Sequence, residues 1–142
     1  MAKLRPTSYF AVASNCVFSY AKYSMTPLRI FLIVSTVLIY TMTLVASIYH
    51  GINWPAVALA DLMALNWRSQ FDTDFVIYLL LGATWITWRE GFTFKGHTYA
   101  FLSVFLGGMF TFPYLLITTY RTNGDPKEIL LGVHADPNTN VG

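Results

Sequence analysis

Residues 72–120, DTDFVIYLLLGATWITWREGFTFKGHTYAFLSVFLGGMFTFPYLLITTY, decide the fold. Two apolar runs, 75–88 and 97–120, flank the short charged connection 89–96. A connection this short makes the runs antiparallel neighbours. The reading is a helical hairpin crossing a lipid bilayer, and the rest of the chain is placed around it.

Composition points the same way. Apolar types make up 55% of the residues, aromatics 17% and charged types only 11%, against about a quarter charged in an ordinary soluble domain. Asp, Glu, Lys and Arg are missing from 30–49, from 75–88 and from 96–120. Each central charge would cost roughly 2.5–3.5 kcal/mol on insertion scales, so a bilayer spanner needs such gaps. The expectation is an all-α membrane protein: three transmembrane helices, an interfacial helix between the first and second, and a short C-terminal surface helix. A formal charge of +2 with no basic cluster gives no basis for a nucleic-acid partner. The lone Cys16 excludes an intrachain disulfide.

Residues 1–29 form a basic tail carrying Lys3, Arg5, Lys22 and Arg29 and no acids. A secretory signal, a segment lying flat on the membrane, and an extension before a natural start at Met25 are all compatible with it. The transmembrane domain then occupies 30–121, and a short helix and tail fill 122–142. The first span, 30–49, has about the length of a hydrocarbon core. Thr36, Tyr40, Thr43 and Ser47 share one of its faces, either for helix packing or as a polar path.

After the Asn53-Trp54-Pro55 turn, 55–67 suits a helix too short to cross. Asn66, Trp67, Arg68, Asp72 and Asp74 then crowd against the second span, 75–88. This interfacial patch is the candidate partner-docking surface. Its alternative is structural, with Asp72 or Thr73 as N-cap and Arg68 paired to Asp72 or lipid phosphate. Tyr78, Gly82, Trp85 and Arg89 share a face of the second span, which Gly91 closes as a C′ residue. In the third span, Gly96, Ala100, Ser103 and Gly107 form a small-residue packing stripe. Pro113 removes the helical bond to Met109, so a kink is expected within 107–113. Asp125-Pro126-Lys127-Glu128 reads as the start of a surface helix running to about Val133.

With three spans, the tail shares a side with Arg89 and Lys95, opposite Arg68, Arg121 and Lys127. The positive-inside rule then puts the N-terminus in the cytoplasm and the C-terminus outside. His50 and His97 fall at opposite membrane faces, so no joint haem or zinc site forms; neither metal nor cofactor is expected, and axial binding of one pigment or haem by a single His is the exception left open.

The stretches 66–75, 88–91, 106–116 and Gly124-Asp125 with 130–132 resemble small bacterial integral membrane proteins of unknown function, over about 25–134. The resemblance implies a bacterial inner-membrane location and no particular activity. The function expected is a non-catalytic accessory or assembly subunit among membrane lipids, packed on a membrane-protein partner or as a homo-oligomer. The alternatives are an oligomeric transporter or channel, and a lipid-modifying enzyme at the 66–74 patch.

Overall fold

The computed structural model describes residues 25–135. Expectations for 1–24 and 136–142 lie outside the described residues. Among those described there are α1 (Met25–His50), α2 (Trp54–Met63), α3 (Trp67–Arg89), α4 (Phe94–Leu106), α5 (Gly108–Arg121) and α6 (Pro126–Leu131). A 3-10 turn (Gly132–His134) follows, and no strand occurs among these residues. The all-helical class read from the sequence is what the described residues adopt. By length and composition, α1 is the one described helix long and apolar enough to cross a membrane.

Local chemistry sets most boundaries. α1 ends at Gly51, whose φ of +75° no longer fits a helix. α2 begins with Pro55 in its first turn and ends before Leu65 turns left-handed at φ +49°, four residues short of the expected 67. α3 starts well before the expected second span. Its N-cap is Asn66, which accepts from the backbone N–H groups of Arg68 and Ser69, while the Ser69 hydroxyl accepts from the Asn66 N–H. This reciprocal box satisfies the first-turn donors, so Asp72 and Thr73 sit inside the helix, not at its cap. At the other end Gly91 (φ +72°) donates to the Trp88 carbonyl and Phe92 to that of Thr87. That is a Schellman closure.

The third apolar run departs most from expectation. It forms two helices, not one span, and the chain doubles back at Gly107 (φ 55°, ψ −129°). Along an unbroken helix Tyr99 and Tyr114 would stand about 22 Å apart. Instead their ring centroids lie 5.6 Å apart, and Tyr99 meets Phe110 at 5.7 Å. The kink expected from Pro113 is thus a reversal at Gly107, with Pro113 inside α5. Gly107 is buried against Phe75 and Leu79 of α3, which shields the break.

α4 lies along α3, and α5 runs antiparallel along α1. Gly96 fits against Glu90 and Thr87, close enough that a Cβ would stand 3.0 Å from Glu90 Cβ. With buried Ser103 and Gly107, it turns the small-residue face of α4 toward α3. The α3 stripe is only half engaged: Tyr78 is exposed and Gly82 faces open space, while Ala83 and Ile86 are the buried apolar positions.

Arg29, at the start of α1, reaches Thr119 near the end of α5, and Met25 lies against Gly124. Arg89, at the end of α3, binds carbonyls of α6. Both ends of the described chain therefore lie together. The expectation of opposite sides rests on 97–120 forming one continuous helix, and the reversal at Gly107 replaces that helix with two. Arg29, Arg89, Lys95, Arg121 and Lys127 gather at this end of the bundle, and Arg68 sits at the other.

Candidate functional site

The Trp88-Arg89-Glu90-Gly91 exit builds the site. The Gly91 turn leaves Arg89 on the inner side of α3, where the residue is only 8% exposed. Its Nε donates to the Ile129 carbonyl at 2.7 Å, and Nη2 reaches that of Glu128 at 3.3 Å. Nη1 donates to Glu90 Oε1 at 2.6 Å and to the Tyr114 hydroxyl at 2.9 Å. The Tyr114 hydroxyl in turn donates to Glu90 Oε1 at 2.8 Å. A buried ion pair repays its desolvation only when its remaining donors are satisfied, and this guanidinium uses all three nitrogens.

The same end of α3 holds the C-terminal segment. Trp85 Nε1 donates to the Leu130 carbonyl at 3.2 Å. The His134 ring stacks on Trp88 with centroids 4.6 Å apart, its Nε2 lying 2.9 Å from the Trp88 carbonyl oxygen. Gly132, at φ +55°, crosses so close that a Cβ would collide with the Arg89 carbonyl oxygen and side chain. The helix expected to rest on the membrane surface or a partner is docked here on its own chain. Asp125 caps it, accepting from the Lys127 N–H at 2.8 Å.

Beside this cluster lies a cavity of about 350 Å³ between α1, α5 and the α3–α4 turn. Arg89, Glu90, Lys95 and Arg121 line one part, and Tyr40, Met109, Phe110 and Pro113 another. Lys95 Nζ stands 3.6 Å from Glu90 Oε2 and 5.3 Å from the Tyr99 ring centroid. Arg121 is exposed and makes no ion pair among the described residues.

The face predicted on α1 looks toward α5. Tyr40 donates to the Met109 carbonyl at 3.2 Å, and the Thr43 hydroxyl lies 3.5 Å from Met109 Sδ. Thr36 and Ser47 bond back to carbonyls of their own helix. Nearer the helix start, Arg29 Nη2 donates to the Thr119 carbonyl at 2.7 Å and its guanidinium lies 4.4 Å from the Tyr120 ring centroid.

The 66–74 patch does not converge. Asn66 is spent on capping, and Arg68 pairs with Asp61 of α2, not with Asp72. Trp67 is exposed. The side chains of Asp72 and Asp74 make no hydrogen bond or ion pair among the described residues. The cluster on Arg89, Glu90 and Tyr114 was not anticipated as a unit. An arginine and a glutamate at the end of an apolar helix were its one sequence signal.

Comparison with protein-family models, curated proteins and solved structures finds no match to this chain.

Proposed function

We propose that the chain is a small integral membrane protein of the bacterial inner membrane, acting as a non-catalytic accessory subunit. It crosses the bilayer through α1 and α3, while α4 and α5 form a hairpin that enters and leaves on one side. At 13 and 14 residues, α4 and α5 reach only about 20 Å each, short of a hydrocarbon core of about 30 Å. Irregular backbone at membrane depth is tolerated where protein covers it, as Phe75 and Leu79 cover Gly107. The apolar part of α3 is short for a span, which local thinning of the bilayer accommodates.

The carrying observation is the charge distribution. Five of the six described basic residues lie at the end of the bundle that holds both termini of the described chain, and Arg68 alone lies at the other. The positive-inside rule makes that end cytoplasmic. An accessory role fits how polar groups are spent: Arg29, Tyr40, Asn66, Arg89 and Tyr114 each tie one element to another or cap one. Outward-facing Phe31, Val34, Leu38 and Val45 on α1 remain for lipid or a partner span.

Topology tests the reading. A periplasm-dependent reporter fused after Gly142 should stay inactive, and the same reporter inserted after Asn53 should be active. An active C-terminal fusion restores three crossings and overturns it. Chemical crosslinking in membranes, followed by mild-detergent purification, should retain a membrane partner; recovery of the chain alone removes the accessory role.

A further inference from the structure

We infer that the cavity beside Arg89 binds the phosphate headgroup and proximal chain of an anionic phospholipid. The inference rests on the membrane reading above and names a ligand for its cytoplasmic face. Within the lining, Glu90 is the one acid and is shared by Arg89, with which it also shares the Tyr114 hydroxyl, and by Lys95. Three basic side chains thus face one carboxylate, which leaves a net positive lining, and of the three Lys95 and Arg121 are exposed. The Thr118 and Thr122 hydroxyls lie along the same wall.

Polarity is graded along the cavity. From Thr122 and Arg121 the lining follows α5 toward the hairpin tip through Ile117, Pro113 and Met109. That path is about 20 Å at a helical rise. A free inorganic anion would use only the basic end. An amphiphile would use both, with its phosphate between Lys95 and Arg121 and its first methylenes against Pro113 and Met109. Basic residues at such a surface each favour an anionic lipid, and an open cavity of this size takes part of one molecule.

The test uses the purified full-length protein in detergent micelles, where bulk membrane charge is absent. Native mass spectrometry would follow retention of added phosphatidylglycerol, phosphatidylcholine and, separately, inorganic phosphate. Wild type should retain phosphatidylglycerol in preference to phosphatidylcholine, and millimolar phosphate should not displace it. The double variant Lys95→Gln/Arg121→Gln, altering two exposed side chains, should weaken that retention about tenfold or more, and Arg68→Gln should not. Equal retention by the double variant, equal loss with Arg68→Gln, or displacement by phosphate each overturns the inference. Extraction of the same variants from membranes by alkaline carbonate separates the two readings: a chain that resists extraction yet shows no lipid preference refutes the cavity alone.

Discussion

Tyr40 donates its hydroxyl to the Met109 carbonyl at 3.2 Å, and that carbonyl is the one Pro113 leaves without a helical donor. The residue four positions after Met109 has no N–H, so the missing bond is supplied from α1, 69 residues away in sequence. Pro113 and Tyr40 are thus two halves of one solution, and their effects should be coupled. Tyr40→Phe should cost about 1 kcal/mol by orphaning the carbonyl. Pro113→Ala restores a backbone N–H, so Tyr40→Phe should be nearly neutral in that background. Thermal unfolding of the four proteins in detergent gives the cycle; strictly additive shifts would show that the hydroxyl and the proline act independently.

Arg89 presents a second coupling, between the end of α3 and the C-terminal segment. Arg89→Gln leaves Glu90 with only the longer contact to exposed Lys95, and the Glu128 and Ile129 carbonyls with fewer donors. Breaking a buried pair from one side costs about 3–5 kcal/mol. Arg89→Lys should rescue little, because an ammonium cannot serve these acceptors in the guanidinium's fork geometry. Limited proteolysis is the direct measurement. Both variants should be cut readily within 122–131, where the wild type resists, and a cleavage pattern unchanged by Arg89→Lys would refute the geometric part of this account.

Two glycines that looked alike in the sequence should behave oppositely. Gly107 sits at φ 55°, ψ −129°, a region other residues rarely adopt, so Gly107→Ala should cost about 1–3 kcal/mol although its Cβ would meet only ordinary contacts at 3.7 Å. Gly82 lies within α3, where a Cβ would meet nothing within 4 Å. Gly82→Ala should therefore stabilise by up to about 1 kcal/mol through helix propensity. Unfolding midpoints decide it, and a destabilising Gly82→Ala would indicate that this face packs against a partner.

What the sequence revealed divides along the range of the forces involved. Gly91 as a C′ residue, Pro55 in a first turn, and Asp125 with Pro126 at a helix start are local signals, and each stands where the residues nearby require it. The reversal at Gly107 was hidden because 97–120 has the length and hydropathy of one span, and neither property distinguishes one crossing from a folded hairpin. What decides it is Tyr99 packing on Phe110 and Tyr114, a contact that periodicity does not contain. The Arg89 cluster was hidden for the same reason, since its carbonyl partners lie about forty residues downstream. Arg29, Arg89 and Lys95 lie together opposite Arg68 as expected, whereas Arg121 and Lys127 lie on their side and not on that of Arg68, because of the reversal.

The start of α3 gives the last prediction, and here a local signal was read nearly two turns too late. Asp72 or Thr73 looked like the cap because the apolar run begins at Phe75, yet the helix already begins at Trp67. Asn66 carries the cap, and the Ser69 hydroxyl passes a further bond to the Asp61 carbonyl, joining α2 to α3. Asn66→Ala should therefore cost about 1 kcal/mol. Ser69→Ala should cost about as much, because Ser69 is buried and its acceptor loses its donor. Asp72→Asn and Asp74→Asn, with no partner among the described residues, should each stay within about 0.5 kcal/mol of wild type. If the aspartate variants instead lose function at unchanged stability and abundance, the 66–74 surface engages something outside this chain, and the docking role expected of it stands apart from its role in folding.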